Sequence, residues 1–276
     1  MDYAYYDGVI TPFDEARIPL SDRSVFFGDG VYECMIGYGG AVYQWHEHIE
    51  RLKVGIEFIK LGFKEYGLLE NTVKKLISLS GYSRYTVYLQ LSRKSERRIH
   101  AEANFSDFHL LITLTELSEF ADREVSLITA EDVRYNLCNI KTLNLLPAVL
   151  ASYEALTKSA DECVFIRGGK VTECAHSNIF LIKKGTLITP PLSRRILPGI
   201  TRRTLLDLAS NMGIATLECE VDRNAIFEAD EVLITSTTRL ARRVAKIDGT
   251  PLKMSDGGLV RELSNALLSH FMEFCC

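Results

Sequence analysis

The sequence lacks an apolar run long enough to cross a membrane, since stretches such as Leu110 to Leu114 fall far short of the roughly 20 residues that a spanning helix needs. It also lacks a basic segment at its start, where residues 1–14 carry acidic and aromatic side chains, so we expect no signal peptide. Basic residues are in deficit, 32 against 36 acidic ones, and the pI is near 5.9. This balance argues against an electrostatic nucleic-acid binder.

The sequence has no CxxC spacing, and its seven cysteines are an odd number. A disulfide framework is therefore not indicated, and we expect a reduced, cytoplasmic environment. Metal-ligand spacing is scarce too. His46 and His48 lie two positions apart, and on a helix such side chains point in different directions, so we predict no metal site there.

Nucleotide-binding loops are also missing. Gly28 and Gly30 begin a GxGxxG spacing, but Glu33 stands where the third glycine would be, and no Walker loop, internal repeat or low-complexity tract occurs. What remains is an ordinary globular composition of 276 residues, 47% apolar and 25% charged, enough for one large or two modest domains.

Apolar periodicity predicts alternating strands and helices, which indicates an α/β (α+β) protein. Ser118 to Glu124 is mostly polar and predicts a linker between a small N-terminal domain, 1–117, and a larger domain, 125–276. The predicted helices cover 45–62, 67–79, 147–158, a segment that opens within 196–203 and runs to about 212, and 256–273. The predicted strands cover 3–11 with a turn at 7–8, 85–93, 108–114, 125–129, 162–166, 178–183, 186–189, 215–221 and 231–235.

One lysine stands in an unusually apolar segment. Lys141 lies between Ile140 and Leu143 in the string IKTLN, shortly before a predicted helix. Loss of hydration disfavours the ammonium, and a neutral amine can attack a carbonyl to form a Schiff base. The alternative is a lysine whose ammonium reaches the surface along its apolar stem. The residues around Lys141 do not by themselves exclude either interpretation.

A carboxylate follows 32 residues later. Glu173 lies in VTE, after a hairpin signal at Arg167–Lys170 and before NIF at 178–180. A carboxylate at this place could accept a hydrogen bond from a protonated pyridine nitrogen, which pyridoxal phosphate needs to act as an electron sink. A glutamate at a strand edge is more often solvated.

Together, IKTLN and VTE followed by NIF resemble the paired signature of the fold-type IV pyridoxal-phosphate enzymes. This family includes D-amino-acid aminotransferases, branched-chain aminotransferases and aminodeoxychorismate lyases. The resemblance extends to FGDGVYE (27–33), EHIERL (47–52), LPGITR (197–202) and STT (236–238). It implies a two-domain α/β fold with pyridoxal 5'-phosphate held between the domains, the larger C-terminal domain being the cofactor-binding one.

The resemblance also implies roles for individual residues. Lys141 would form the Schiff base with the cofactor and act as the catalytic residue, while Glu173 would keep the pyridine nitrogen protonated. The cofactor phosphate would be held by Arg51, Ile200, Thr201, Ser236 and Thr237. An arginine fork can meet a phosphate bidentately, and a helix N-terminus offers N–H donors to it.

Three residues bear on the subfamily. Tyr32, Arg98 and His100 resemble the substrate-carboxylate clamp of the D-amino-acid enzymes, and the other two subfamilies generally lack the Arg-x-His pair. The alternative for this loop is a solvated charge cluster. The resemblance thus implies transamination between D-amino acids and 2-oxo acids, such as D-alanine with 2-oxoglutarate; an aminodeoxychorismate lyase and a branched-chain L-amino-acid aminotransferase stay as alternatives.

In this family the clamp residues come from the neighbouring subunit, so a homodimer is implied. The chain departs from the family pattern in ways that leave its preferred substrate open. His176 stands where a small hydroxyl residue is usual, and Lys94 replaces a glycine before the clamp. Three further positive charges follow the STT string, namely Arg239, Arg242 and Arg243.

Overall fold

The structure is a computed structural model that describes residues 1–95, 97–101, 105–120, 123–253 and 258–275. The chain forms two compact units. The first comprises Met1–Glu119, Ile140–Asn144 and Phe271–Cys276, and the second comprises Phe120–Asn139 and Leu145–His270. The predicted domain boundaries stay a prediction. The segment that carries Lys141 belongs to the first unit, whereas the prediction had counted it in 125–276. Residues 121–122 of the predicted linker and Cys276 lie outside the described residues.

The first unit is built on a six-stranded antiparallel sheet with the strand order β2-β1-β6-β5-β3-β4. Its strands are β1 (Tyr3–Tyr6), β2 (Val9–Pro12), β3 (Gly30–Tyr38), β4 (Ala41–Val42), β5 (Arg84–Arg93) and β6 (Phe108–Glu116). Its helices are α1 (Ser24–Phe27), α2 (Trp45–Phe58) and α3 (Tyr66–Ser80), with a short 3-10 turn at Phe13–Glu15.

The core of this unit follows from the apolar periodicity. Alternation along β5 places Tyr85, Val87 and Leu89 among the fully buried side chains, as predicted. On α2 the stripe that includes Leu52 and Ile56 is buried as well. Complete burial of one such aliphatic side chain stabilises a fold by about 1.5–3 kcal/mol. Burial of these apolar side chains therefore holds α2 against the sheet and stabilises the first unit.

The second unit is built on a nine-stranded mixed sheet with the order β12-β11-β10-β13-β14-β7-β8-β9, and β15 pairs with β14. The pairs β14–β7, β7–β8 and β11–β12 are parallel. The strands are β7 (Val125–Glu131), β8 (Glu162–Arg167), β9 (Lys170–Cys174), β10 (Asn178–Lys183), β11 (Thr186–Thr189), β12 (Thr216–Glu218), β13 (Glu231–Ser236), β14 (Leu240–Ile247) and β15 (Thr250–Pro251). The helices are α4 (Leu146–Thr157), α5 (Ile200–Asn211), α6 (Ala225–Glu228) and α7 (Gly258–Cys275), whose residues from Phe271 onward are counted in the first unit.

The expected α/β class is confirmed, and most predicted elements agree with the structure to within a few residues. Strand β14 was not predicted, because Arg242 and Arg243 interrupt the apolar alternation that marks a strand. Helix α2 ends at Phe58 instead of residue 62, and Lys60 just beyond it adopts a left-handed backbone with φ of 54°. The predicted start of the last helix, 256–257, lies outside the described residues. None of the helices in the described ranges is long and apolar enough to cross a membrane.

Candidate active site

The backbone around Lys141 is paired with strand β3 of the same unit. The N–H of Tyr32 donates to the carbonyl of Lys141 at 3.0 Å, and the N–H of Leu143 donates to the carbonyl of Gly30 at 3.1 Å. Gly30 has to be a glycine, since an added Cβ would come within 2.7 Å of the backbone carbonyl oxygen of Leu91. This pairing sets the half-buried Lys141 with its Nζ 4.3 Å from the centroid of the Tyr32 ring, a cation–π contact. The structure thus brings together two of the predicted site residues.

Tyr32 also belongs to an aromatic pair. Its ring centroid lies 5.5 Å from that of Tyr88 on β5, and the Tyr88 hydroxyl donates to Oε1 of Gln90 at 2.7 Å. Burial raises the pKa of Tyr88 well above its usual value, so that this hydroxyl stays a donor at all working pH values. Strands β3 and β5 therefore each supply a tyrosine to one aromatic pair, and the Tyr32 ring of this pair contacts Lys141.

Arg51 is held in a buried network. Its Nε and Nη2 donate to Oε1 and Oε2 of Glu33, each at 2.8 Å, and Nδ1 of His48 lies 2.7 Å from Glu33 Oε2. Burial pushes the pKa of Glu33 upward, but Arg51 and His48 more than offset this and lower it to about 2. Glu33 is therefore a permanent carboxylate. It accepts from the Nε and Nη2 edge of Arg51, which is the edge that suits bidentate recognition.

The two predicted clamp residues share one aromatic partner. Arg98 and His100 are exposed, and the Arg98 guanidinium and the His100 ring lie 5.1 and 5.2 Å from the centroid of Phe27. The two side chains thus lie against the same ring, and their role stays a prediction. Among the contacts of the described residues, Tyr32 meets Lys141 and Tyr88, and it does not meet this pair.

In the second unit, Glu173 is buried near the end of β9 and accepts three hydrogen bonds. Arg134 Nη1 donates to its Oε1 at 2.5 Å, while the N–H of Leu197 and Nδ2 of Asn178 donate to its Oε2 at 3.0 and 3.2 Å. Burial raises the pKa of Glu173 to about 7, and Arg134 opposes this rise. The interpretation of Glu173 as a solvated strand-edge residue is excluded by its burial, with only 5% of its surface exposed.

Arg134 is a residue that the sequence reasoning missed. Asp132 Oδ1 accepts from its Nε at 2.9 Å and Oδ2 accepts from its Nη2 at 3.0 Å, and its guanidinium lies 4.3 Å from the centroid of the Phe165 ring. The arginine is thus locked between two carboxylates and an aromatic face. The signal that could have found it is Asp132-Val133-Arg134, a charged pair that begins three residues after the predicted strand 125–129.

The second unit carries an uncapped helix start and a buried hydroxyl at two of the predicted phosphate positions. Helix α5 begins at Ile200 after Gly199, without a side-chain cap, so its first N–H groups point out of the helix start. Gly199 has to be a glycine, since a Cβ would come within 2.0 Å of Asn178 Oδ1. At the end of β13, on which α5 packs, the Ser236 hydroxyl is buried without a hydrogen-bond partner among the described residues. An uncapped helix start and an unsatisfied buried hydroxyl fit the phosphate of pyridoxal phosphate.

Two departures from the family pattern meet on one buried carboxylate, Glu162 on β8. Its Oε1 accepts from the N–H of His176 at 2.8 Å, and its Oε2 accepts from the Ser177 hydroxyl at 2.9 Å. The same Oε2 lies 3.2 Å from His176 Nδ1 and 3.4 Å from Arg239 Nη1. Burial raises the pKa of Glu162 to about 7. His176 and Arg239 therefore act together as polar partners of a carboxylate that the sequence reasoning did not single out.

Comparison with known proteins agrees with this description. The sequence model of the Amino-transferase class IV family matches residues 30–247. A D-alanine aminotransferase of Listeria innocua is 35% identical over 274 residues, covering 95% of this chain and 93% of that protein. A D-alanine aminotransferase of Bacillus licheniformis is 34% identical over 271 residues, covering 95% and 94%. The chain belongs to the class IV aminotransferase family and is an aminotransferase-type enzyme.

Solved structures share the fold. The branched-chain aminotransferase of Thermoproteus uzoniensis with norvaline superposes with a TM-score of 0.89 at 22% identity, covering 99% of this chain and 96% of that one. The branched-chain aminotransferase of Thermobaculum terrenum in its PLP form superposes with a TM-score of 0.88 at 23% identity, covering 99% and 94%. At this identity the likeness establishes the architecture and leaves the substrate open.

Proposed function

We propose that this protein catalyses pyridoxal-phosphate-dependent transamination between D-amino acids and 2-oxo acids, with D-alanine and 2-oxoglutarate as a representative pair. One observation carries the proposal: the curated relatives that align over most of the chain at 34–37% identity are D-alanine aminotransferases. The branched-chain enzymes are similar at only 20–23% identity. The Arg98–His100 pair, which resembles the clamp of the D-amino-acid subfamily, supports the same proposal.

The residues of the second unit suit the cofactor. Glu173 would accept the hydrogen bond of the pyridine nitrogen, and Arg134 donates to this carboxylate and orients it. When bound, pyridoxal phosphate supplies an electron sink for the carbanion formed at the substrate Cα. We propose that its phosphate is held by the N–H groups of Ile200 and Thr201, by the hydroxyls of Ser236 and Thr237, and by Arg51.

Lys141 is the proposed catalytic residue. Its Nζ would hold the cofactor and, once released from it by the substrate amine, would carry a proton to and from the substrate Cα. The Tyr32 ring lies beside Nζ, and the backbone pairing with β3 fixes where the side chain begins. A proton carrier has to lie within hydrogen-bond reach of the atom it serves, so catalysis requires the backbone of Lys141 to be held in a fixed position.

We propose that Tyr32, Arg98 and His100 bind the α-carboxylate of the substrate. A guanidinium and an imidazole are suitable donors to a carboxylate. With the carboxylate and the amine both held, only one enantiomer directs its Cα–H toward Lys141. The clamp would thus set the preference for D-amino acids.

We further propose a homodimer, in which the clamp of one subunit serves the other. Helix α4 supports this proposal, because its buried face carries Ala151 and Ala155 and its opposite face is apolar and exposed. That face comprises Leu146, Val149, Leu150, Tyr153 and Leu156, each more than half exposed in the single chain. Contiguous apolar patches of this kind usually mark an interface, and a second copy of the chain is the occupant we propose.

We propose a cytoplasmic location. None of the six described cysteines forms a disulfide. Cys163 and Cys174 are buried thiols, and burial raises the pKa of each, which keeps them protonated and unreactive. This cysteine usage suits a reducing compartment.

The test of the function is a substrate panel. The holoenzyme is incubated with D-alanine, D-glutamate, L-valine or L-leucine and with 2-oxoglutarate or pyruvate, beside an assay with aminodeoxychorismate; Lys141→Ala is the blank. We expect turnover of the D-amino acids and little of the L-amino acids. A preference for L-valine or L-leucine would favour the branched-chain activity, which the shared fold also allows. Pyruvate release from aminodeoxychorismate would favour the lyase.

A further inference from the structure

Arg23 is a buried arginine that holds the clamp loop by its backbone. Only 6% of its surface is exposed. Its Nη1 donates to the carbonyl of Ile99, and its Nη2 donates to the carbonyl of His100 at 3.1 Å. These two carbonyls belong to the residues that follow Arg98. The Arg23 guanidinium therefore holds the backbone of Ile99 and His100, next to both proposed clamp side chains.

Arg23 is itself fixed at the end of the sheet. Its Nε donates to Asp29 Oδ2 at 2.8 Å, and the same oxygen accepts from Arg93 Nε at 3.1 Å. The backbone N–H of Arg23 donates to the carbonyl of Arg93, and the N–H of Arg93 donates to the carbonyl of Asp29, at 3.0 and 3.1 Å. Both arginine side chains are 7% exposed. The loop is thus tied to the last residue of β5 through a buried, charge-assisted network.

Phe27 gives the clamp side chains a common surface. Its ring centroid lies 4.5 Å from the Arg23 guanidinium carbon, 5.1 Å from that of Arg98 and 5.2 Å from the His100 ring. Gly28, which follows, adopts a left-handed backbone with φ of 59°, so that α1 ends directly after this phenylalanine. The ring is therefore held at the end of a short helix and meets both exposed side chains.

We propose that Arg23 and Phe27 are positioning residues that determine how tightly the site binds the substrate carboxylate. An exposed arginine loses conformational entropy when it is fixed on a ligand. A ring and a pair of anchored carbonyls restrict Arg98 and His100 before the substrate arrives, which lowers that cost. This inference rests on the proposed function, since it assigns Arg98 and His100 to the carboxylate.

The experiment uses the holoenzyme with two test variants, two control variants and Arg98→Ala. Arg23→Lys keeps the charge but cannot serve two carbonyls and Asp29 at once, and Phe27→Leu keeps an apolar side chain without the ring. The controls are Arg17→Lys, an exposed arginine that donates to the local carbonyls of Asp14 and Ala16, and Val25→Ala, an exposed residue of α1. Melting temperatures separate a folding defect from a binding defect, and Phe27→Leu carries the test if Arg23→Lys does not fold.

The measured quantities are the dissociation constants of propionate and of its neutral analogue propionamide by calorimetry, and KM and kcat for D-alanine. We expect Arg23→Lys and Phe27→Leu to weaken propionate binding and raise KM by about three- to thirtyfold, the range of one or two lost cation–π contacts. We expect binding of propionamide, kcat and both control variants to change by less than about twofold.

Arg98→Ala distinguishes the two ways of failing. If Arg98→Ala weakens propionate binding while Arg23→Lys and Phe27→Leu leave it unchanged, the clamp stands and the positioning inference is overturned. If Arg98→Ala leaves propionate binding unchanged, the clamp itself is wrong and the inference falls with it. Equal losses for propionate and propionamide would also overturn the inference, since they would mean a general disturbance of the site.

Discussion

Replacing Glu173 by glutamine tests whether this buried carboxylate supports a positive charge on the cofactor ring. Three N–H groups converge on its two oxygens, from Arg134, Leu197 and Asn178. An amide keeps one acceptor but turns an N–H₂ group toward donors on the other side. It also cannot stabilise a pyridinium. We expect kcat for D-alanine to fall about a hundredfold, equivalent to about 3 kcal/mol in the barrier.

The same substitution changes how stability depends on pH. Burial raises the pKa of Glu173 from 4.5 to about 7, which corresponds to about 3 kcal/mol of destabilisation of the cofactor-free protein above pH 7. The sign follows from proton uptake. Above pH 7 the folded state carries the carboxylate at this cost; as the pH falls through about 7 the folded state takes up a proton, and the cost is fully relieved below about 4.5.

The assay is urea unfolding of the cofactor-free protein at pH 8, 7 and 6, beside kinetics of the holoenzyme. We expect wild-type stability to rise toward pH 6, because Glu162 has the same raised pKa of about 7 and contributes with the same sign. Glu173→Gln should remove up to about 1.4 kcal/mol per pH unit from that slope. Glu228→Gln is the control, since Glu228 forms an exposed ion pair with Lys183.

Two results would refute the reasoning. An undiminished kcat would mean that Glu173 is only structural. An unchanged pH slope would mean that the pKa of Glu173 is the same in the folded and unfolded states, because the buried carboxylate is hydrated or because Arg134 fully offsets the effect of burial. The two outcomes are independent, so the catalytic and the electrostatic parts of the argument can fail separately.

Four further substitutions extend the test. Lys141→Ala should abolish transamination while some cofactor stays bound without a covalent bond, as read from visible absorbance before and after dialysis; normal turnover would exclude this lysine as the catalytic residue. Arg98→Ala should raise KM for D-alanine by an amount equivalent to about 2–4 kcal/mol and reduce the D/L ratio, because a charge-assisted pair is lost and the carboxylate is left unsatisfied; unchanged D-substrate kinetics would contradict the clamp. Glu33→Gln should lower the free energy of unfolding by about 3–5 kcal/mol at pH 7, since it leaves Arg51 without its carboxylate, and it should weaken pyridoxal-phosphate binding. Because the pKa of Glu33 is lowered from 4.5 to about 2, the wild type should lose this stability advantage as the pH falls from 4.5 to about 2. Equal stability of both proteins at pH 7 would exclude the network as a stabilising feature. Leu150→Glu should shift the mass measured by light scattering from dimer toward monomer, because it places a charge on the apolar face of α4; a wild type that is already monomeric would exclude the proposed dimer.

Much of this protein can be predicted from local sequence. The strand 178–183 and the helix 147–158 follow from apolar periodicity, and the structure has them at Asn178–Lys183 and Leu146–Thr157. The glycines at 30 and 199 are recognisable from short strings, because each stands where the backbone passes too close to another group for a side chain. Family membership follows from those strings, and the comparison with known proteins confirms it.

The electrostatic part of the site depends on tertiary structure. Arg134 lies 39 residues before Glu173, and Arg23 lies 76 residues before the carbonyl of Ile99 that it holds. Apart from Asp132 two residues before Arg134, nothing next to these arginines in the sequence distinguishes them from solvated surface residues. The burial of Glu162 likewise depends on strand pairing, which brings a histidine and an arginine from other segments to one carboxylate.

The physical reason is the range of the interactions. Periodicity and turn chemistry act over a few residues, so the sequence displays them directly. The pKa of a carboxylate and the usefulness of an arginine depend on which groups lie within about 4–6 Å after folding, and on how much water remains around them. The chain's residues therefore determined the elements and the family, while the folded arrangement alone decided which charges are buried, which are paired and which hold the site.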